Sequence, residues 1–266
     1  MDDIYQKYEA ALREIDRLRL ENKQLKLQIG NRDSKGEACS FQQISTIQMR
    51  VKLQGNKQPS KVHQFSSVEE KLALYRSYFR GREDVYPIRW NNKQGKSGYS
   101  PSCGNEWTAV CQKPKVKCSA CIHQNFLPVT DEVISKHLDA RTDRTIGIYP
   151  MLQDETCWFL AMDFDKKNWQ EDAAAVMHVC DGNHIPAALE RSRSGNGGHI
   201  WIFFVEPIAA SQARRLGTII LSLTMNQRYQ IGLDSYDRLF PNQDTMPKGG
   251  FGNLIALPLQ GGPRKY

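Results

Sequence analysis

Two aspartates close an apolar run, Phe159-Leu160-Ala161-Met162-Asp163-Phe164-Asp165. In a strand, alternate side chains share a face, so Asp163 and Asp165 point the same way, roughly 6–7 Å apart along the chain, while Leu160, Met162 and Phe164 point into a core. Neighbouring carboxylates repel unless positive charge sits between them, and one or two divalent metal ions would supply it. An isolated Asp-x-Asp more often ends a strand in solvent, so the rest of the chain must decide.

A second group follows. Ser192-Arg193-Ser194-Gly195-Asn196-Gly197-Gly198-His199 joins two apolar stretches. Its glycines let the backbone turn sharply and approach a ligand closely. Arg191 and Arg193 flank the turn with positive charge, and His199 opens the next strand. Such a turn suits a triphosphate, although a hairpin with a surface histidine would look similar. A third group, Ser235-Tyr236-Asp237-Arg238-Leu239-Phe240-Pro241-Asn242-Gln243-Asp244, offers another acid, and Lys248 opens a glycine-rich loop after it. Asp237 is preferred to Asp244 because it sits on an apolar strand, whereas Asp244 lies beyond a proline in a loop.

Four of seven cysteines are crowded as Cys103-x7-Cys111-x6-Cys118-x2-Cys121. An odd total, one tight cluster and no secretion signal before the first helix favour metal binding over disulfides and an intracellular, cytoplasmic setting. The four thiolates can complete a tetrahedral structural zinc site, and Lys113, Lys115 and Lys117 favour the thiolate form. His123 is a less favoured substitute ligand.

The elements that must position these residues follow from periodicity. In residues 3–29, Ile4, Tyr8, Ala11, Ile15, Leu18, Asn22, Leu25 and Ile29 form an a/d heptad seam, read as a parallel coiled-coil homodimer with Asn22 at an a position. A helix packed on its own domain would show the same pattern. Residues 31–65 are a Gly-, Gln-, Ser-, Asn- and Lys-rich linker. Ser67 and Thr130 read as N-caps of two helices, the first ended by Gly81. Between Asn91 and Pro128 periodicity fades. Strands are expected at 146–149, 157–162, 187–190, 200–205, 236–240 and 254–257, with helices over 169–180 and 209–227. The alternation predicts an α/β or α+β sheet domain. No apolar run reaches the roughly 18–20 residues of a membrane span. The net charge of +7 is local: residues 50–96 hold eleven basic and four acidic residues, which suits a polyanion such as nucleic acid.

In this order the groups resemble the archaeo-eukaryotic primase superfamily. It has an acidic pair on a strand (here Met162-Asp163-Phe164-Asp165), a small-x-His motif (Gly197-Gly198-His199) and a later hydrophobic-acid motif (Tyr236-Asp237). Gly81-Arg82-Glu83-Asp84-Val85-Tyr86, the four-cysteine segment, Glu190 to Gly197, Phe240 to Asp244 and Gly252 to Gln260 resemble more narrowly the primase module of TOTE conflict systems, over about residues 66–266. The resemblance implies an α+β fold with an RRM-like sheet core and a zinc knuckle inserted at about 99–128. It implies template-directed synthesis on single-stranded nucleic acid from nucleoside triphosphates. Asp163, Asp165 and Asp237 would hold two Mg2+ or Mn2+ ions. His199, Arg191, Arg193, Ser194, Gly197 and Lys248 would meet the nucleotide. A helicase and nuclease usually follow this module, so the chain is expected to be part of a longer protein. One departure stands out: the small residue of the second motif is often serine, and here it is Gly197, so a hydroxyl contact must come from Ser192 or Ser194. A catalytically silent nucleic-acid-binding module and a metal-dependent nuclease are the competing readings.

Overall fold

The computed structural model describes residues 62–227 and 233–263. The helix expected over 3–29 and nearly all of the linker lie outside the described residues. The elements are α1 (Val68–Tyr78), β1 (Pro87–Asn91), β2 (Ser97–Pro101), α2 (Asp131–Leu138), β3 (Gly147–Ile148), β4 (Thr156–Asp165), α3 (Trp169–Gly182), β5 (Ala188–Arg191), β6 (Gly197–Ala209), α4 (Ala210–Gln227), β7 (Tyr236–Phe240) and β8 (Ile255–Ala256). The fold is mixed α and β with antiparallel sheets.

The central sheet has the order β5-β6-β4-β7, every neighbour antiparallel. Along the chain it is β4-α3-β5-β6-α4-β7, a β-α-β-β-α-β unit. Its two faces follow from period-two alternation. Leu160, Met162 and Phe164 of β4 and Ile200, Ile202 and Phe204 of β6 are all buried on one side. The buried residues of α3 and α4, among them Ala173, Val176, Leu216 and Ile220, cover that side. Each such large apolar side chain contributes about 1.5–3 kcal/mol by leaving water.

The other face is divided. At one end Phe159, Ala161, Trp201 and Phe203 meet α1 in an aromatic cluster, with Phe79 edge-on to Trp201 at 5.1 Å and Tyr78 to Phe203 at 5.0 Å. The cluster continues through Ile134, Ile148, Ile255 and Leu257. At the other end the same face carries Asp163, Asp165 and His199.

The two N-cap expectations hold, whereas α1 stops at Tyr78 with Phe79 as its C-cap, two residues before the expected Gly81. Ser67 forms a capping box with Glu70, and Thr130 accepts from the Val133 amide. The stretch after Asn91 differs from expectation, because β1 and β2 form an antiparallel hairpin there. Both strands are partly buried along their length without a period-two pattern, which erases the alternation. The turn is made by Asn92, whose Oδ1 accepts from the amides of Gln94 and Lys96 at 3.0 and 2.8 Å. Strand β6 is also longer than expected, because Gly197 and Gly198 pair with Asp165 and Phe164. No helix among the described residues is long and apolar enough to cross a membrane.

Candidate active site

Sheet register places four chemically matched residues in one row. Glu190 on β5 faces His199 on β6, His199 faces Asp163 on β4, and Asp163 faces Arg238 on β7. Asp165 is two residues further along β4, opposite Gly197. Regular alternation would send Asp237 to the face opposite Arg238. Instead the pairing jumps from Asp163↔Arg238 to Phe164↔Tyr236, so Asp237 is the extra residue of a β-bulge. A bulge re-aims its side chains, and here one oxygen from each of Asp163, Asp165 and Asp237 lies within 4.8 Å of the others. Among the described residues this is the one group of three or more potential ligand atoms so gathered.

The start of β7 is pinned from beneath. Buried Asp172 on α3 accepts from the Ser235 hydroxyl at 2.6 Å and its amide at 3.2 Å. The Ser235 carbonyl in turn accepts from the Asp165 amide at 2.7 Å. Asp165 and the bulge therefore share one anchor.

Charge in the row is held in tension. Burial pushes the Asp163 carboxyl up to about 6, Asp165 and Asp237 push the same way, and His199 and Arg238 oppose them. Arg238 Nε donates to Asp237 Oδ2 at 2.6 Å. Burial alone would make the His199 imidazolium less stable, but its hydrogen bond to Glu190 and the charges of Glu190, Asp163 and Asp165 outweigh that and raise its pKa. Nδ1 is 2.8 Å from Glu190 Oε2, which also accepts from Trp201 Nε1 at 3.0 Å. The other ring nitrogen, Nε2, lies 3.5 Å from Asp163 Oδ1. Three carboxylates this close, with one arginine and one histidine beside them, are a donor set suited to divalent cations.

The turn before β6 is self-contained. Arg191 Nε donates to the Gly195 carbonyl at 3.0 Å, the Gly195 amide to Ser192 O at 2.9 Å, and Ser192 N to Gly197 O at 2.9 Å. Ser194 Oγ accepts from the Asn196 amide at 3.2 Å and lies 3.2 Å from Ser192 Oγ. Gly195, at φ +77°, takes a conformation that favours glycine. A Cβ at Gly197 would overlap Asp165 Oδ1 and the Phe164 carbonyl. The departure from serine at this position thus has a steric cause.

The comparisons with known proteins bear on what this site serves. The family described as TOTE conflict system, Archaeo-Eukaryotic Primase domain, matches residues 70–266. The chain belongs to that family. A search of curated proteins returns no match. Members of the primase family are generally nucleotidyltransferases, and the carboxylate cluster of this primase domain sits on its central sheet.

Other residues of the primase domain lie as follows. Asp244 is apart from the cluster, exposed and paired with Arg214 Nη1 at 2.5 Å. Lys248 is exposed on a loop beside the cysteine segment, where Gly249 approaches the Ser119 carbonyl. Arg193 is half-buried, its Nε without a hydrogen-bond partner among the described residues. Cys103, Cys111, Cys118 and Cys121 line one cavity with Lys113 and His123. Backbone hydrogen bonds at Lys113 and Trp107 lower the Cys111 pKa, and the His123 amide donates to Cys121 Sγ at 3.4 Å. Among the described residues no three of these sulfurs lie within 4.8 Å of one another, so the cysteines share a cavity without closing into a tetrahedral set. Cys157 and Cys180 are buried, which pushes each thiol up to about 12 and leaves it inert.

Sequence reasoning missed Glu190, Arg238, Asp172 and Ser235. Period-two counting on 188–191 puts Glu190 on a strand next to the glycine turn, which is the only signal it offered. That it faces His199 depends on strand register.

Proposed function

We propose that this primase domain carries out template-directed nucleotidyl transfer, making primers on single-stranded nucleic acid and extending them. The observation that carries the reading is the convergence of Asp163, Asp165 and Asp237 beside His199 on the uncovered end of a sheet face. The β-α-β-β-α-β order supports an RRM-like core. The spacing of the four cysteines around one cavity supports a structural zinc knuckle, in which the metal would draw their sulfurs together.

The three aspartates would hold two Mg2+ or Mn2+ ions, and such ions lower the pKa of an attacking 3′-hydroxyl and neutralise the triphosphate. The remaining roles belong to the chain. Glu190 tethers Nδ1 of His199, so Nε2 is the nitrogen presented beside Asp163. The hydrogen bond to Glu190 favours the protonated ring, and Nε2 would donate to a nucleotide phosphate. Arg193 adds a donor, and Arg191 stiffens the turn that presents it. Lys248 is the remaining phosphate candidate. The heptad helix would join two copies of the chain.

The deciding experiment is nucleotide incorporation on a primer-free single-stranded template with Mg2+ or Mn2+ and either class of nucleoside triphosphate. The wild type should incorporate. The double variant Asp163→Ala, Asp165→Ala should be inactive while keeping its circular dichroism. Polymerisation by that variant would refute the metal role, and template degradation without nucleotides would identify a nuclease.

A further inference from the structure

A groove of about 1040 Å3 lies between the β1–β2 hairpin, the cysteine segment and the loop at 247–254. Its walls carry Trp90, Trp107, Tyr99 and Phe251. Trp107 is 78% exposed and Trp90 43% exposed, unusual for the largest aromatic side chain. Trp107 is also held at φ +63°, a left-handed conformation that costs energy in a residue other than glycine. The Trp90 ring lies flush over Gly98, where a Cβ would overlap it. Phe251 is fixed by edge contact with Phe126 and by Tyr149, each at 5.1 Å. Trp90 and Phe251 are therefore held in place, and Trp90 and Trp107 are open to solvent.

The groove is net positive. Arg89, Lys113 and Lys117 line it, against one acid, Glu106, which Lys113 already engages at 2.7 Å. At the hairpin, Tyr99 lies near enough to Arg193 of the glycine turn to feel its charge, which links the groove to the turn beside the carboxylates. Exposed aromatic faces interleaved with cations match a strand whose bases are unstacked, since each base offers a π-face and each phosphate a negative charge. A duplex hides its base faces.

We infer that this groove binds single-stranded nucleic acid by base stacking on Trp107 and Trp90, with Arg89 and Lys117 on the phosphates. Calling that strand the template rests on the nucleotidyl-transfer reading. Binding itself rests on the groove.

The test is fluorescence anisotropy with a labelled oligo(dT) of about twenty nucleotides. The wild type should bind it more tightly than a duplex of equal length. Trp107→Ala should weaken binding about 5- to 150-fold, as loss of one stacking platform predicts. Trp107→Phe should restore most of it. Lys117→Glu, which removes no aromatic surface, should weaken binding and flatten its salt dependence. Unchanged binding in both Trp107→Ala and Lys117→Glu, or wild-type preference for duplex, would overturn the groove assignment. The incorporation assay separates the two readings. A wild type that binds through Trp107 but incorporates nothing leaves the groove standing without the chemistry. Incorporation by the wild type, with Trp107→Ala and Lys117→Glu both binding normally, leaves the chemistry without the groove.

Discussion

The Glu190 carboxylate meets the His199 imidazole across β5 and β6, Oε2 to Nδ1 at 2.8 Å, and the same oxygen receives Trp201 Nε1. Two donors converging on one acceptor fix the carboxylate, and the carboxylate fixes the ring. The arrangement decides which nitrogen of His199 faces Asp163. Glu190→Gln keeps the shape and removes the charge. Because Glu190 is the strongest influence raising the His199 pKa, that pKa should fall, as read from imidazole chemical shifts against pH. Nucleotide incorporation should fall about tenfold or more, the scale of losing a hydrogen bond to a charged group. An unchanged His199 titration would remove Glu190 from the positioning role.

Asp163 makes the metal-free protein pH-sensitive. Its carboxyl is raised from 3.8 to about 6, so between those values the folded chain keeps a proton that the unfolded chain has released. Stability from this group therefore falls as pH rises from about 4 to about 6, by about 2–3 kcal/mol at most. His199 acts in the same direction: its raised pKa contributes stability below its unfolded pKa that is lost as pH climbs through the folded one. Asp163→Asn should thus melt above the wild type at pH 7 without divalent ions, with the gap closing towards pH 4. Mg2+ or Mn2+ should raise the wild-type Tm, increasingly so as pH passes about 6, and raise that of the variant little. Thermal melts at three pH values with and without metal give the result.

Much of this architecture was legible in the chain. The apolar run ending in two aspartates encoded β4, because alternation alone decides which residues share a face. Ser67 and Thr130 marked helix starts through cap chemistry. What alternation could not give was register. Asp237 reaches the acids only through a bulge, an insertion in pairing that leaves no mark in periodicity. The β1–β2 hairpin was hidden for a related reason: its strands are half-buried on both faces and carry no alternating pattern, and Asn92 makes its turn by side-chain hydrogen bonds.

The bulge separates the two acids that the sequence offered, of which Asp237 was the preferred one. Asp237 sits with Asp163 and Asp165, whereas Asp244 pairs with Arg214 on the surface. Asp237→Ala should abolish the metal-induced rise in Tm and reduce incorporation by at least about 100-fold, on the scale of lost charge stabilisation. Asp244→Ala removes an exposed ion pair worth about 0–1 kcal/mol and should leave both readouts near wild type. The reverse ranking would put Asp244 in the site.

The cysteine segment gives a prediction independent of the sheet. If Cys103, Cys111, Cys118 and Cys121 hold zinc, reduced protein purified without added metal should contain about one zinc per chain. Chelation should lower the Tm, and zinc should restore it. Cys118→Ser should lose zinc and solubility, while Cys180→Ser, remote in sequence and buried beneath the sheet, should keep its zinc. Protein free of metal in that preparation would return the segment to four unliganded thiols.

Gly197 tests how tightly the acids are packed against the turn. A Cβ there meets Asp165 Oδ1 and the Phe164 carbonyl, and the carbonyl belongs to a paired strand that cannot step aside. The side chain of Asp165 must then swing away, or β6 must lift from β4. Gly197→Ala should destabilise the fold by about 1–3 kcal/mol, the usual cost of overpacking. It should also weaken the metal-induced rise in Tm, because Asp165 no longer reaches Asp163 and Asp237. Gly195→Ala is the informative companion. It strains a φ of +77° and crowds Arg191 but leaves Asp165 untouched. It should cost stability while preserving the metal response, so a metal response lost equally in both variants would place the acids' geometry under the control of the whole turn and not of the Gly197 contact.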